Sequence, residues 1–495
     1  MKGIKCPYII YALISLMILV YIYLRINIIE TRYYDHDEFQ HLNATWNLFN
    51  GKIPYRDYFE HHFPWLYFLS SFLFHFYEDI ETSVEQTLSL FKLSRYFMQI
   101  FFVMSSFLMM KIFLLIKGRL FAALGLLLFF TNNIFLSKTI EFRPDVPGFF
   151  FALLSLYYVI KKIKNNNTND LYLSYFTYGI AIMFTQKYLV LLPSLVITHL
   201  LLFNLKSKPL WLFEKLKCLS FLVFPFLVTY SAFYLLNGHE EFFEQNILSN
   251  FKWKKVGNHS YHTATFLNGM KYEIILCLLG IVTAVIRYLK ERTINKYSVL
   301  FGINILWFYI SLLIIPISAL QFYLILIPSI LYFIIVFVEV FKRKEIQASI
   351  IIAVVCLNLY NKIHFFNSKK SPYRVTQERI IEYITVNTDR NDIVFGGNPL
   401  FATFRKHIGH YQFIHAGVFL MMPLEEIDFI EKNIINKIII PKIITYDYNV
   451  RLFSDELIEF IEKNYKYVEG TQFRLGPEYE IKLLRLKKSL PENNH

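Results

Sequence analysis

Ionisable side chains are concentrated in one polar stretch, residues 34–64, which lies between two strongly apolar segments. A loop that only connects two membrane helices needs few charges, so this density predicts chemistry. Carboxylates can act as general bases or metal ligands, and neighbouring cations can stabilise a phosphate. The acids are Asp35, Asp37, Glu38, Asp57 and Glu60, and the basic residues are His36, His41, Lys52, Arg56, His61 and His62.

Asp37 stands before a helical pattern that places Phe39, Leu42 and Trp46 on one face and stops at Gly51. Asp is a favoured N-cap, and Gly is a favoured residue just after a helix. Two interpretations of Asp37 are open. It either caps the helix, or, kept ionised by the helix dipole, it serves as a general base.

The end of the stretch brings Arg56, Glu60, His61 and His62 to the start of an apolar, aromatic segment. Acids and bases at headgroup depth suit a phosphate whose lipid tail lies in the bilayer. Ordinary interfacial anchoring is the alternative. It explains the aromatic residues well and the Glu60-His61-His62 run poorly.

A later polar segment carries Arg143 and Asp145. Arg143 could bind a phosphate through two parallel hydrogen bonds, or it could pair with Asp145, which also suits a helix start. Lys187 stands between two apolar segments, where a charge is expensive and marks a functional candidate unless it snorkels to the interface. Gln321 and Tyr323, in a short turn, are further candidate substrate contacts.

These residues need a membrane scaffold to position them. The 495 residues are 55% hydrophobic, and the apolar residues come in long runs, which indicates an integral membrane protein. Runs long enough to cross a bilayer predict about eleven transmembrane helices: 8–29, 91–116, 120–136, 146–160, 171–184, 188–205, 218–236, 269–286, 297–317, 322–341 and 346–360.

The segment 64–77 is apolar but too short to cross, so it is predicted to lie in the membrane plane as an interfacial helix. This choice places 16 Lys or Arg in 39 residues of inner loops, against 12 in 104 residues of outer loops. That bias obeys the positive-inside rule and explains the net charge of +13 without any nucleic-acid partner. The loop 30–64 therefore faces outward.

From residue 362 the composition becomes that of a soluble domain. Residues 1–361 are predicted to form the transmembrane domain, and residues 362–495 a small C-terminal α/β domain outside the cytoplasm. Its predicted helices are 377–386, 424–433 and 455–464, and its predicted strands are 392–396, 437–446 and 480–486.

The motifs resemble a known family. An outward loop that opens with Asp37-Glu38, the run Gly-x-x-Pro-Tyr-Arg-Asp-x-x-Glu-His-His-x-Pro at 51–64 and a later Arg-Pro-Asp at 143–145 resemble GT-C-type integral membrane glycosyltransferases. The nearest likeness is to bacterial relatives of the dolichyl-phosphate-mannose protein mannosyltransferases and of the lipid A aminoarabinose transferase. The resemblance implies a mostly α, polytopic GT-C-like fold.

The resemblance also implies an activity: transfer of a sugar from a polyprenyl-phosphate donor to a lipid, glycan or protein acceptor on the outer face, with inversion. Asp37 resembles the catalytic base, and Asp145 resembles a second acidic residue of the site. Glu60 aligns with an acid that can hold a divalent metal cation, and Lys187 resembles a position that neutralises the leaving phosphate. Glu38, Arg56, His61, His62, Arg143, Gln321 and Tyr323 complete the predicted substrate contacts.

Further expectations are a bacterial plasma membrane location, with the active site and the C-terminal domain outside the cytoplasm. A transporter or flippase for a lipid-linked glycan is the alternative, although such a protein should carry charges near the bilayer midplane or repeated halves. A catalytically silent assembly partner is a third possibility. The sugar, the acceptor and the need for a cation stay open.

Overall fold

The computed structural model describes residues 6–203, 208–249, 259–314, 320–360, 371–396, 403–412, 414, 416–474 and 480–487. The predicted domain boundary at 361/362 lies outside these ranges. Within them the chain is mostly helical, with one small sheet toward the C-terminal end.

The helices of the first half begin and end close to the apolar runs. In chain order they are α1 (Cys6–Thr31), α2 (His36–Phe49), α3 (Trp65–Ser70, continued by a 3-10 turn Ser71–Phe76), α4 (Val84–Ile116), α5 (Arg119–Thr131), α6 (Asn133–Lys138), α7 (Asp145–Asn165), α8 (Thr168–Phe184), α9 (Lys187–Leu202) and α10 (Lys208–Leu235).

The second half continues with α11 (His239–Phe243), which runs into a single π-helical turn (Glu244–Leu248). The remaining helices are α12 (His259–Gly269), α13 (Lys271–Glu291), α14 (Lys296–Ile314), a 3-10 segment (Leu320–Leu326), α15 (Ile327–Val338), α16 (Lys344–Tyr360), α17 (Pro372–Asn387), α18 (Ala416–Phe419), α19 (Leu424–Ile435) and α20 (Asp455–Asn464).

Among the described residues, seven helical segments are long and apolar enough to cross a membrane, and three shorter apolar helices accompany them. Each of the eleven predicted spans overlaps a helix, while the number that cross stays a prediction. Two of the predicted spans are not continuous α-helices. The helix predicted over 120–136 breaks at Asn132, and the one over 322–341 begins as the 3-10 segment.

The bundle is organised around α7, which packs against α4 and α8, while α8 also packs against α10. Twelve of the residues along α7 are buried, including Asp145 and Val146 at its start. Because α7 is held on several sides, the first turn of this helix is fixed relative to its neighbours. That turn carries Asp145.

The sheet has the order β2-β1-β3-β6-β4, with β5 paired to β6. Strands β1 (Ile393–Gly396), β2 (Lys406–His407) and β3 (Ile443–Tyr446) are parallel, with Val394 opposite Ile443, and β4 (Tyr465–Tyr467), β5 (Phe473–Arg474) and β6 (Glu480–Leu486) complete it. The strand predicted over 437–446 is shorter in the structure, because it starts at Ile443. The sheet and its helices form an α/β region over residues 371–487.

The α/β region lies directly on the first loop. The side chain of Gln377 bonds both the backbone nitrogen and the backbone oxygen of Tyr34, each at 2.8 Å. Asn43 on α2 donates to the carbonyl of Thr403 at 2.6 Å. Residues 30–64 and the α/β region therefore lie on the same side of the helical bundle.

Candidate active site

The start of α2 is set by Asp35. Its carboxylate accepts the backbone N–H of Asp37, and the Glu38 side chain accepts the Asp35 N–H at 2.8 Å, which completes a capping box. The interpretation of Asp37 as the cap is therefore wrong. The capping role belongs to Asp35, so the Asp37 carboxylate in the first turn is available for other contacts.

Glu38 is fully buried and fixes the loop to the bundle. Its two carboxylate oxygens accept from Arg95 of α4 at 2.8 and 2.7 Å, and one of them also accepts the N–H of Phe142 at 3.2 Å. Arg95 is itself fully buried and donates to three backbone carbonyls at and just after the end of α1, those of Ile29, Arg32 and Tyr33. The pair holds α1, α2, α4 and the segment before α7 together.

A group of eight charged side chains, called here the Arg143 cluster, lies at the starts of α2 and α7. It comprises Arg32, Asp35, Asp37, Lys138, Glu141, Arg143, Asp145 and Lys187. Four carboxylates face four cations. Every one of these residues comes from the end of a helix or the segment next to one, so the fold brings distant parts of the sequence to one place.

Arg143 is the centre of this cluster and is only 5% exposed. It contacts the Asp37 carboxylate closely, and its nitrogens lie 3.2 Å from Glu141 and 3.5 Å from both Asp35 and Asp145. Burial alone disfavours the charged guanidinium, but Asp37 and Glu141 outweigh that effect and raise the pKa of Arg143 well above its usual value. The guanidinium stays charged and joins the two acids that the sequence singled out.

The Asp37 carboxylate is ionised. Burial raises its pKa, but the charges of Arg143 and His36 outweigh burial and hold that pKa well below its usual range. The ring of His36 lies 3.0 Å from Asp37 through Nε2. Although burial lowers the pKa of His36, Asp37 and Asp35 together raise it to about 9. Asp37 thus faces two cations, Arg143 and protonated His36.

Asp145 is held from two sides. The Lys187 ammonium donates to it at 2.8 Å, and Arg143 Nε lies 3.5 Å from its other oxygen. Lys187 also lies 5.0 Å above the ring of Phe322, which belongs to the 3-10 segment. The lysine therefore points into the cluster and pairs there, rather than standing alone between two apolar helices.

A second group, called here the Glu60 group, consists of His41, Glu60 and His62. Each offers one ligand atom, and these atoms lie within 4.8 Å of one another. One oxygen of Glu60 accepts from His62 Nδ1 at 2.8 Å and from the backbone N–H groups of His61 and His62 at 2.9 and 3.1 Å. Glu60 and His41 are buried, and His62 is partly buried.

The ligand types of this group fit a transition-metal cation. Burial raises the pKa of Glu60, but its hydrogen bond with His62 outweighs burial, and the pKa lies below the usual value. Burial and His62 push the pKa of His41 well below its usual value, so its ring is neutral. Two imidazoles and a carboxylate are ligands that Zn²⁺ and similar ions accept. The group fits the metal role predicted for Glu60.

The two groups are linked through Gln186, which stands next to Lys187 and donates to the carbonyl of His61 at 2.5 Å. Arg56 is not part of either group: it pairs with its neighbour Asp57 at 2.8 Å and donates to the carbonyl of Leu236 at 2.9 Å.

Gln321 and Tyr323 are buried in the 3-10 segment. The hydroxyl of Tyr323 shares a 2.7 Å hydrogen bond with Thr263, and its ring stacks on Phe266 with centroids 4.2 Å apart. Their neighbour Phe322 brings this segment to Lys187.

An apolar cavity of about 60 Å³ lies between α7, α8, α9, α14, the 3-10 segment and α15. Its wall includes Phe149, one helical turn after Asp145, and Leu191, one turn after Lys187. The cavity therefore begins one helical turn beyond the Asp145–Lys187 pair, further along α7 and α9.

Comparison with known proteins gives a family match over part of the chain. The family model of the dolichyl-phosphate-mannose-protein mannosyltransferases matches residues 89–233. No curated protein matches the chain in sequence. The match covers α4 to α10, which includes Arg143, Asp145 and Lys187 of the Arg143 cluster.

Three solved structures with a similar fold are distant in sequence. ArnT from Cupriavidus metallidurans bound to undecaprenyl phosphate has a TM-score of 0.62 and 11% identity, and the match covers 96% of this chain and 98% of that one. Its apo state gives a TM-score of 0.63 at the same identity and coverage. The Archaeoglobus fulgidus oligosaccharyltransferase tethered with an acceptor peptide gives 0.50 and 12%, covering 95% of this chain and 74% of that one.

These findings confirm the resemblance to GT-C-type integral membrane glycosyltransferases. The chain has an ArnT-like GT-C fold, and its long apolar helices indicate an integral membrane protein.

Proposed function

We propose that this protein transfers a sugar from a polyprenyl-phosphate donor to an acceptor on the outer face of a bacterial plasma membrane, with inversion at the anomeric carbon. One observation carries the proposal. The cations Arg143 and Lys187 converge with the acids Asp37 and Asp145 one helical turn from an apolar cavity. A lipid phosphate needs cations close to an apolar site for its tail, and this arrangement supports both.

The donor phosphate binds to Arg143 and Lys187 in this proposal, and the start of the polyprenyl chain enters the cavity past Phe149 and Leu191. Guanidinium and ammonium groups stabilise the charge that develops on the departing phosphate. Asp145 holds both cations in place.

Asp37 is the general base that removes the proton from the acceptor hydroxyl. A carboxylate held by Arg143 is a weak base, because its pKa lies well below the usual value. A phosphate that shares Arg143 weakens this pairing and makes Asp37 more basic. Base and donor are thereby coupled: Asp37 becomes competent when the phosphate is bound.

Glu60, with His41 and His62, holds a divalent cation in this proposal. When bound, such an ion supplies positive charge beside the lipid phosphate. Gln186 ties this group to Lys187, and His61 lies between them as a further phosphate contact. Glu38 acts through its pair with Arg95 to hold the loop that carries Asp37.

The proposal gives more distant substrate contacts to Arg56, Gln321 and Tyr323. Arg56 is part-exposed and lies on the loop rather than in the Arg143 cluster, so it suits the acceptor. Gln321 and Tyr323 flank Phe322, which packs over Lys187, so they suit the donor side.

The test is sugar transfer from a radiolabelled polyprenyl-phosphate hexose by purified protein in detergent, with a crude envelope extract as acceptor. Asp37→Asn is expected to lose about a hundredfold or more of the wild-type rate, the usual worth of a general base. Asp389→Asn, whose side chain is 93% exposed in the α/β region, is a matched control for the same loss of one charge. Donor binding without transfer by the wild type would favour the transporter instead.

A further inference from the structure

Tyr55 adopts a backbone conformation that tyrosine rarely adopts. Its φ is +71°, in the left-handed region, although it carries a bulky side chain and is fully buried. Residues held in such a conformation persist only where their surroundings determine it, and they cluster at functional sites. Tyr55 lies five residues before Glu60, within the tight run 51–64.

The surroundings hold Tyr55 at three points. Its ring makes edge contacts with Phe233 and Phe242, with centroids 5.2 and 5.3 Å apart. Its hydroxyl donates to the carbonyl of His62 at 2.7 Å. Its own carbonyl accepts from Nε2 of Gln245 at 2.8 Å.

Gln245 connects the same turn to a different loop. It lies in the single π-helical turn after α11 and is 8% exposed. Its Oε1 accepts the backbone N–H of Glu60 at 3.1 Å, while its Nε2 also lies 3.2 Å from Nε2 of His410 in the α/β region. Isolated π turns are frequent at functional sites, because they re-aim one side chain.

We propose that Gln245 and Tyr55 are positioning residues that fix Glu60 and His62 for the reaction. Gln245 holds the Glu60 backbone, and Tyr55 holds the His62 backbone, so the loop that follows α10 sets the geometry of the Glu60 group. This inference rests on the proposed function, in which that group lies beside the donor phosphate. Neither residue touches the reacting atoms.

Hydrogen exchange tests, without an activity assay, whether Gln245 and Tyr55 clamp the backbone of Glu60 and His62. The Glu60 N–H is bonded to Gln245, so Gln245→Met should increase amide exchange in a peptide covering 59–64, and Tyr55→Phe should do so at the His62 end. Gln347→Met is the matched control, a buried glutamine that donates to the Phe341 carbonyl elsewhere in the bundle. Unchanged exchange in 59–64 would overturn the proposal.

The transfer assay separates positioning from general damage. Gln245→Met is expected to lower kcat about tenfold to a hundredfold while KM for the donor changes little, because a small misplacement is felt mainly in the transition state. In a Glu60→Gln background, the same change should have almost no further effect, since the residues act as a unit. Full additivity of the two changes, or equal loss in Gln347→Met, would contradict a positioning role.

Failure of the two proposals looks different. If the wild type transfers no sugar, the proposed function fails and the positioning role falls with it, whereas the exchange measurement still decides whether the clamp exists. If the wild type transfers sugar and Gln245→Met transfers it equally well, only the positioning role fails.

Discussion

The Arg143 cluster and the Glu60 group lie side by side, yet they are held by different forces. The Arg143 cluster is ionic: four carboxylates and four cations meet at the ends of helices, and Arg143 alone lies within 3.5 Å of Asp35, Glu141 and Asp145. The Glu60 group has one carboxylate and two imidazoles, and hydrogen bonds to the backbone fix it.

This difference indicates that the two groups bind different ligands. Charges that are already paired hold the site rigid. A cation in such a pair can bind a new anion only if that anion replaces its carboxylate partner. A group with a neutral ring, such as His41, gains most from an added cation. We therefore expect the Arg143 cluster to respond to the donor phosphate, and the Glu60 group to respond to a metal ion.

The largest effect is expected from Arg143→Met. The change removes the cation that contacts all four carboxylates of the cluster, and breaking a buried ion pair by removing one partner costs about 3–5 kcal/mol. The thermal unfolding temperature of the purified protein in detergent should fall by several degrees, and transfer should be lost. Arg143→Lys should recover part of the stability, because it restores the charge without the forked geometry.

Arg287→Met is the matched control for this change. Arg287 is 40% exposed at its side chain and pairs with Glu339 at 3.4 Å, so its loss should cost about 1 kcal/mol or less. If Arg143→Met unfolds at the wild-type temperature, the cluster does not hold the frame and the comparison fails.

The sequence was informative where the signal is local. Apolar runs predicted a helix at every one of the eleven positions, and α20 and β6 have the predicted bounds. The capping box is also readable in the sequence, since Asp35 and Glu38 stand three residues apart, but only Asp37 was considered as a possible cap. Of the two interpretations left open for Asp37, the structure excludes the cap.

The rest of the site depends on contacts between distant residues, which one sequence does not reveal. Arg95 meets Glu38 across 57 positions, and Gln245 meets Glu60 across 185. Lys138 and Arg32 enter the Arg143 cluster only because α6 and α1 end beside it. Polarity at the end of an apolar run was the signal for Lys138, whereas Gln245 gave none.

An intermediate effect is expected from Zn²⁺. An ion that binds only the folded protein stabilises it by about 2.7 kcal/mol at a hundredfold excess over Kd. The unfolding temperature of the wild type should rise with Zn²⁺, and chelation should reverse the rise. Glu60→Gln and His62→Gln should abolish it, because each removes one of the three ligands.

His75→Gln is the matched control for the zinc experiment, since this histidine is exposed and lies against Phe49, outside both groups. It should keep the full rise in unfolding temperature. An equal rise in His62→Gln would mean that Zn²⁺ binds elsewhere on the protein.

The smallest effect is expected from pH, and it comes from His36, which pairs with Asp35 and Asp37 of the Arg143 cluster. Asp37 and Asp35 raise the pKa of His36 to about 9, against about 6.5 in an unfolded chain. The folded state therefore binds the extra proton, so the stabilisation is complete below pH 6.5 and is lost as pH rises toward 9. The His36 side chain is 54% exposed, so solvent screens the effect and keeps it small.

The wild-type unfolding temperature should fall between pH 6.5 and pH 9. His36→Gln should flatten this fall, while His75→Gln should keep it. If His36→Gln shows the same fall in unfolding temperature with pH, the His36 imidazolium does not stabilise the Asp37 carboxylate. Arg143 would then be the cation that stabilises Asp37.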